Sequence, residues 1–298
     1  MRIFDIKDDK VLFDEVAGTQ FGRFKEIQPV VGNNKNRVLF AVDKGRFSGL
    51  VNLKPMEWDS RFFGRPLAKL EIFGVDNKTA GQQLIASVEE RARSDGYRHL
   101  MARLEGPVYS VVWSLENNGY ELVDMGITFI LSKERWLFTH AAKPDYEHHI
   151  RTMEEKDLDN ILSFGETLFR LSYFYRDPFF TTSEADLLHK EWIANLFFHL
   201  ADVIWVCEVN GKAVGFVTCK IDPGTQIGTI TLVGVHPDYT GQGIASEILR
   251  KSTQWFFEHG AKNVTVKTQS FNYPPINLYI KSGFLVSFSD ITYCKTLR

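Results

Sequence analysis

Ile230-Thr-Leu-Val-Gly-Val-His-Pro-Asp-Tyr-Thr-Gly-Gln-Gly-Ile-Ala-Ser246 is the stretch that decides the fold. An apolar, β-branched run enters a glycine-spaced turn, which opens into a segment with apolar residues at Ile244, Ile248, Leu249, Trp255 and Phe256. The spacing predicts a strand, a tight turn and a helix over 244–259, closed by Gly260, which tolerates left-handed backbone. Gly241 and Gly243 let successive N–H groups face inward, and the helix N-terminus adds partial positive charge. Such a turn cradles an anion without a lysine. Gly234, within the strand, predicts a bulge or a close backbone approach. A strand splayed there exposes backbone groups to an extended amide-bearing ligand. A third glycine three residues on, which a dinucleotide fingerprint needs, is missing, as is the Gly-Lys-Ser/Thr of a P-loop.

Downstream, Asn263-Val-Thr-Val-Lys-Thr-Gln269 predicts a strand, 274–283 a short helix and 284–295 a last strand. Upstream, two apolar runs flank Asn210-Gly211, a hairpin signal because both residues accept positive φ. Before them lie a short strand near His149, a helix from Leu158 to Phe169, an aromatic loop, and a helix from Glu184 to Leu200. Sliding the sequence by 164 residues superimposes an earlier series on this one without a gap. Gly96 falls on Gly260, Gly119 on Gly283, and Ile127-Thr128 on Ile291-Thr292. This predicts an internal structural repeat. Three domains are expected: a strand-rich extension over 1–50, a degenerate copy over 51–140, and an intact copy over 141–298.

The copies are not chemically equal. At the 164-residue offset Leu115 stands for Tyr279, Val108 for Asn272, and Asp76-Asn77-Lys78-Thr79-Ala80 for the glycine turn. An acid in that turn repels phosphate, so the first copy is expected to be scaffold or acceptor-site wall.

These residues resemble the acetyl-CoA motif of the GNAT N-acetyltransferase superfamily: Val235-x-Pro237-x-x-Thr240-Gly241-Gln242-Gly243-Ile244-Ala245, then Asn272 and Tyr279-x-x-x-Gly283-Phe284. Thr240 stands where that family usually has Gln or Arg. The resemblance implies an α/β GNAT fold with a mixed, mostly antiparallel central sheet flanked by helices. The sheet would splay between the family's fourth and fifth strands, and the N-terminal half would be a degenerate GNAT. It implies acetyl-CoA as co-substrate and no metal. Val233, Gly234 and Val235 would bind the pantetheine arm, Thr240 to Ala245 the pyrophosphate, and Asn272 would hydrogen-bond the cofactor.

Amine attack on a thioester needs a deprotonated amine, a donor for the oxyanion, and a proton for the leaving thiolate. A phenol near pKa 10 can donate to a thiolate whose acid resembles cysteine, near 8.5. Tyr279 is placed by the resemblance as that acid; the alternative is a ring that only packs beneath Phe284. The N–H of Val233 or Gly234 would meet the oxyanion. His236, Glu208 and His189 are all candidates for the base.

The chain further resembles the TDP-fucosamine acetyltransferase group, through Glu57-Trp-Asp-Ser-Arg-Phe-Phe-Gly64, Ser172-Tyr-Phe-Tyr-Arg-Asp-Pro-Phe-Phe180 and Trp192-Ile-x-Asn195. That implies the 4-amino group of a nucleotide-linked sugar as acceptor. Tyr173 and Tyr175 would then offer faces to a sugar or base, and Arg170 and Arg176 would offer cations to a diphosphate. Rivals are a protein or small-amine acetyltransferase and a non-catalytic acetyl-CoA sensor.

Composition fits this reading. The chain has 298 residues, 44% hydrophobic and 24% charged, with a formal net charge of −2. That balance gives no basic footprint for nucleic acid. Cys207, Cys219 and Cys294 are too few and scattered for a disulfide framework or a zinc cluster. No apolar run reaches the roughly 20 residues of a membrane helix. A reduced, cytoplasmic setting is expected, with a small-molecule substrate, no membrane or nucleic-acid partner, and a homodimer as one possible assembly.

Overall fold

The glycine-punctuated stretch forms the expected strand, turn and helix in the computed structural model, which describes residues 1–14, 36–106, 109–140, 147–163 and 168–297. In chain order the strands and helices begin with β1 (Arg2–Asp5), β2 (Arg37–Asp43), β3 (Arg46–Pro55), α1 (Glu57–Phe63), β4 (Leu67–Val75), α2 (Lys78–Ser94), β5 (His99–Glu105) and α3 (Tyr109–Asn117). They continue with β6 (Glu121–Ser132), α4 (Lys133–His140), β7 (His149–Thr152), α5 (Leu158–Leu162), α6 (Thr182–Asn195), β8 (Val203–Val209) and β9 (Lys212–Asp222). Last come β10 (Ile227–Val235), α7 (Ile244–Glu258), β11 (Asn263–Gln269), α8 (Tyr273–Lys281) and β12 (Leu285–Thr296). The helix expected over 158–169 is described for Leu158–Leu162, and residues 164–167 lie outside the described part, as does Val108. Asn210 and Gly211 take φ of 50° and 76°, as the hairpin reading requires.

Two compact units result. Unit 1 comprises Met1–Asp124 with Asp290–Arg298, and unit 2 comprises Met125–Ser289. Within unit 1 the strands run β1-β2-β3-β4-β5-β12; within unit 2 they run β7-β8-β9-β10-β11-β6. In each, neighbours are antiparallel except one parallel pair, β4–β5 and β10–β11. These divisions differ from the expected boundaries at 50 and 140. Strands β1, β2 and the start of β3, expected as a separate extension, are the first strands of unit 1. The counterparts of β1, β2 and β3 are β7, β8 and β9.

The repeat is closer in structure than in sequence. Shifted by 164 residues, the limits of β5, α3 and β6 become those of β11, α8 and β12 without error. The gapless superposition does not extend upstream. Strand β4 maps onto β10 with an offset of 160, which sets Ile72-Phe73-Gly74-Val75 on Leu232-Val233-Gly234-Val235. The change of offset adds four residues at the turn, and α2 starting two residues early relative to α7 widens the difference to six. Two residues join β4 to α2 (Asp76, Asn77), whereas eight (236–243) join β10 to α7.

The main core of each unit forms between its sheet and two helices, chiefly one amphipathic helix. Leu84, Ile85, Val88 and Ala92 of α2 are buried in unit 1; Ile244, Ile248, Leu249, Phe256 and Phe257 of α7 are buried in unit 2. At about 1.5–3 kcal/mol per large side chain, such faces supply most of what holds the helices down. Trp255, expected on the apolar face, is only partly buried, and its ring stacks on His259 at 4.6 Å.

The terminal strands are exchanged between the copies. Strand β6 leaves unit 1 after Asp124 and pairs with β11 from Gly126 to Ser132. Strand β12 leaves unit 2 after Ser289 and pairs with β5 from Asp290 to Thr296.

Candidate functional site

Strand β10 holds to β11 only from Ile227 to Ile230, so residues 231–235 have no ladder partner on that side. The strand meanwhile stays paired to β9 through Val235, with a register shift between Ile230 and Val233. The bulge therefore sits at Thr231-Leu232, not at Gly234. The buried hydroxyl of Thr218 on β9 fixes it, accepting from Leu232 N at 2.9 Å. Gly234 serves the other expected purpose, a close approach. A Cβ there would overlap Leu168 Cδ1 and lie 3.0 Å from Phe216 Cε1. The outcome is a splay whose open edge carries Val233, Gly234 and Val235, the proposed pantetheine groups.

The splay leads into the turn. Pro237–Tyr239 form a single 3₁₀ turn, and Thr240 closes it, its N and Oγ1 both donating to Pro237 O at 3.2 and 2.9 Å. Thr240 thus shapes the turn through its hydroxyl. Gly241 and Gly243 have φ of 79° and 84°, a region where a side chain costs about 1–2 kcal/mol. Gly243 caps α7 with no side-chain bond, and Thr240, Gly241, Gln242 and Gly243 are exposed. The first N–H groups of α7, from Ile244 and Ala245 onward, lack the carbonyls a preceding turn would supply, which suits them to an anion. Glu247, also in the first turn, has its carboxylate engaged. It accepts from the N–H groups of Glu147 and His148 at 3.1 and 3.0 Å and meets His148 Nδ1 at 3.1 Å. These bonds outweigh its desolvation and hold its pKa below the ordinary value.

Unit 1 lacks this cradle. Its two-residue turn ends in Asn77, whose side chain accepts from Ala80 N at 3.0 Å and so occupies the helix start. Leu115, which replaces tyrosine, is buried in the core.

Beyond the splay, Asn272 immediately precedes α8. Its amide donates to Thr268 Oγ1 at 3.1 Å, and it does not cap the helix with its side chain. Tyr279 is 2% exposed and rests between Phe129 and Phe284, with ring centroids at 5.5 and 6.0 Å. Burial alone drives its pKa well above the ordinary phenol value. The ring packs as the alternative reading expected, and the same burial keeps the phenol protonated and able to donate.

The aromatic loop crosses the open end of the splay. Leu168 lies on Gly234 of β10, and Arg176 places its guanidinium 4.8 Å over Phe271, which precedes Asn272. Arg176 Nη1 also donates to Leu171 O at 2.5 Å. Arg170 is paired with Asp186 at 3.4 Å and lies 4.9 Å over Tyr175, whose hydroxyl donates to Asp186 at 2.8 Å. The ring of Tyr173 lies tilted by 30° against Phe174, with centroids at 4.0 Å. Arg170 is thus balanced by a carboxylate, and the Arg176 guanidinium lies over Phe271, two residues past the end of β11.

The three candidate bases differ. Glu208 is held by Arg151 at 2.6 Å, and that bond keeps its pKa low. His189 is buried, with desolvation lowering its pKa. His236 is half-buried, and its Nδ1 accepts from Asp238 N at 3.3 Å.

Residues 166–284 match the acetyltransferase (GNAT) family, and the splayed sheet that holds them has the GNAT fold. The fold as a whole is a tandem GNAT. It is shared with the tandem GNAT protein from the clavulanic acid biosynthesis pathway, at a TM-score of 0.55 and 14% identity over 99% of this chain and 98% of that one. In sequence, the chain is 28% identical over 146 residues to an uncharacterized N-acetyltransferase of Methanocaldococcus jannaschii, covering 45% of this chain and 59% of that protein. It is 26% identical over 140 residues to the spore coat polysaccharide biosynthesis protein SpsD of Bacillus subtilis, covering 47% and 48%. The chain thus spans about half the length of the curated relatives it matches. No helix among the described residues is long and apolar enough to cross a membrane.

Proposed function

We propose that the chain is an acetyl-CoA-dependent N-acetyltransferase whose acceptor is the primary amine of a nucleotide-linked amino sugar. The observation that carries the reading is the unpaired edge of β10 at Val233–Val235 running into the exposed turn and bare helix start at 240–245. An extended pantetheine fits the first as an added strand, and a pyrophosphate fits the second. The amine attacks the thioester carbon directly, and the oxyanion takes a hydrogen bond from the N–H of Val233 or Gly234. As the C–S bond breaks, Tyr279 gives its proton to the thiolate. The proton released by the amine passes to solvent and restores the phenol. Asn272 binds the cofactor beside it.

For the acceptor, support comes from the loop of Arg170, Tyr173, Tyr175 and Arg176 across the splay, and from the likeness to a polysaccharide biosynthesis protein. Cations at that loop disfavour a polyamine; a protein N-terminus is the second reading. The test follows thiol release from acetyl-CoA against a panel of nucleotide amino sugars, polyamines and peptides. Turnover confined to amino sugars supports the acceptor proposal, and turnover confined to peptides or polyamines overturns it.

A further inference from the structure

His189 sits at the centre of a column that no step above uses. Its imidazole lies between the rings of Phe169 and Tyr175, with centroids at 5.3 and 5.4 Å and planes inclined by only 6° and 10°. Arg170 lies over the ring of Tyr175 at 4.9 Å. Trp192 and Phe174 meet the imidazole edge-on at 5.3 and 6.4 Å. Phe169, Arg170 and Tyr175 belong to the loop, whereas His189 belongs to α6. The column therefore clamps both ends of the loop to one rigid helix. Nδ1 of His189 lies 2.7 Å from Ala185 O, so Nδ1 carries the hydrogen and donates.

We propose that His189 is a positioning residue for the acceptor, its neutral imidazole holding the 168–176 loop across the splay so that acidification releases the loop. The proposal rests on the acceptor reading given above. A second proton on this ring would sit in an apolar sandwich, with both ring faces closed to water. Two charged groups bear on it: Asp186 on α6, which favours the cation, and Arg170 on the loop, which opposes it. Asp186 is already shared between Tyr175 and Arg170. Desolvation is the larger influence and lowers the pKa of the closed form. The sign follows. A closed state that binds the proton less well than an open one is fully favoured above the ordinary histidine pKa of about 6.5, and is lost as pH falls from there through the lowered value.

The test measures hydrogen exchange of the 168–176 amides at pH 7.5 and 5.5, corrected for intrinsic rates, in the full chain and in His189→Phe and His189→Ala. Acetyl-CoA affinity is followed in parallel by calorimetry. The wild type should lose protection at pH 5.5 by up to about tenfold, the most that a group with an ordinary pKa of about 6.5 in the open state can contribute one unit below it. His189→Phe, which keeps the stack but cannot titrate, should show no such loss, and His189→Ala should be unprotected at both pH values. Rescue of the loop by phenylalanine but not alanine, together with loss of the pH response, is a pattern that simple destabilisation does not give. Acetyl-CoA affinity within about twofold across the three proteins assigns the effect to the acceptor side. The proposal is overturned if wild type and His189→Phe share one pH response, or if His189→Ala keeps the loop protected. Failure of all three to bind acetyl-CoA would instead sink the function proposed above.

Discussion

A phenol enclosed by Phe129 and Phe284 stays protonated through the range in which a thioesterified cofactor survives, because burial drives its pKa above about 10. Two expectations follow for the proposed acid. The rate profile should show no alkaline fall from Tyr279 ionisation below pH 10. Tyr279→Phe should lower turnover by about 10²–10⁴-fold, the usual size of a general-acid contribution, with acetyl-CoA affinity nearly unchanged in calorimetry. Turnover within a fewfold of wild type would mean that the ring only packs. A left-handed residue gives a second prediction at this scale. Gly243→Ala must hold φ near 84°, so it should cost about 1–2 kcal/mol in chemical unfolding and weaken acetyl-CoA binding. Single residues of this kind were legible in the sequence: glycines mark the backbone they require, and Tyr279 stands at a fixed spacing from Gly283. What Tyr279 touches was not legible, since Phe129 lies 150 positions away.

The splay is a property of strands, and its physical origin is a side chain on the neighbouring strand. Thr218 supplies an oxygen to Leu232 N where the β9–β10 ladder slips. Thr218→Val removes that acceptor at almost constant volume. It should cost about 1–3 kcal/mol in chemical unfolding and loosen cofactor binding through Val233. Unaltered stability would show that the bulge forms without it. The sequence pointed to a bulge or a close approach at Gly234; the close approach is there, and the bulge lies two to three residues earlier. The pair Ile72-Phe-Gly-Val75 and Leu232-Val-Gly-Val235 carried the better signal. A single fixed offset hides it, since the offset between the copies changes by four residues, from 160 to 164, across the turn. The stacking column about His189 was invisible for a different reason: its members come from a loop and a helix whose apposition only packing determines.

At the scale of the molecule, two side-chain pairs match β12 to unit 1. Lys295 Nζ donates to Glu89 at 2.6 Å, and Tyr293 donates to Glu116 at 2.8 Å. Desolvation and Glu116 push the Tyr293 phenol up to about 12. At the equivalent places unit 2 has Leu131 with Thr253 and Phe129 with Ile280. Were β12 to close its own copy, Lys295 would face Thr253, and Glu89, 4% exposed, would lose the shorter of its two ion pairs and keep only Arg93 at 3.3 Å. Breaking a buried pair costs up to about 3–5 kcal/mol, and with Arg93 still beside Glu89 the cost falls at the lower end, which is enough to choose a partner. Lys295→Leu should therefore destabilise unit 1 by about that much, and adding Glu89→Thr should recover most of it. Cross-linking reads the strand directly. Cys294 lies opposite Met101, so Met101→Cys should form a disulfide with it, while Thr265→Cys, the equivalent place on β11, should not. The repeat was legible in the sequence; the exchange was not, because both copies offer strands of one length and one pattern.

All of these readings rest on the cradle at 240–245 and the open edge of β10 beside it. Calorimetric titration of the full chain with acetyl-CoA, alongside Gly241→Val/Gly243→Val, tests that directly. The account predicts one cofactor per chain and a loss of at least tenfold in affinity for the variant. Absence of binding by the wild type, or equal binding by the variant, would contradict it.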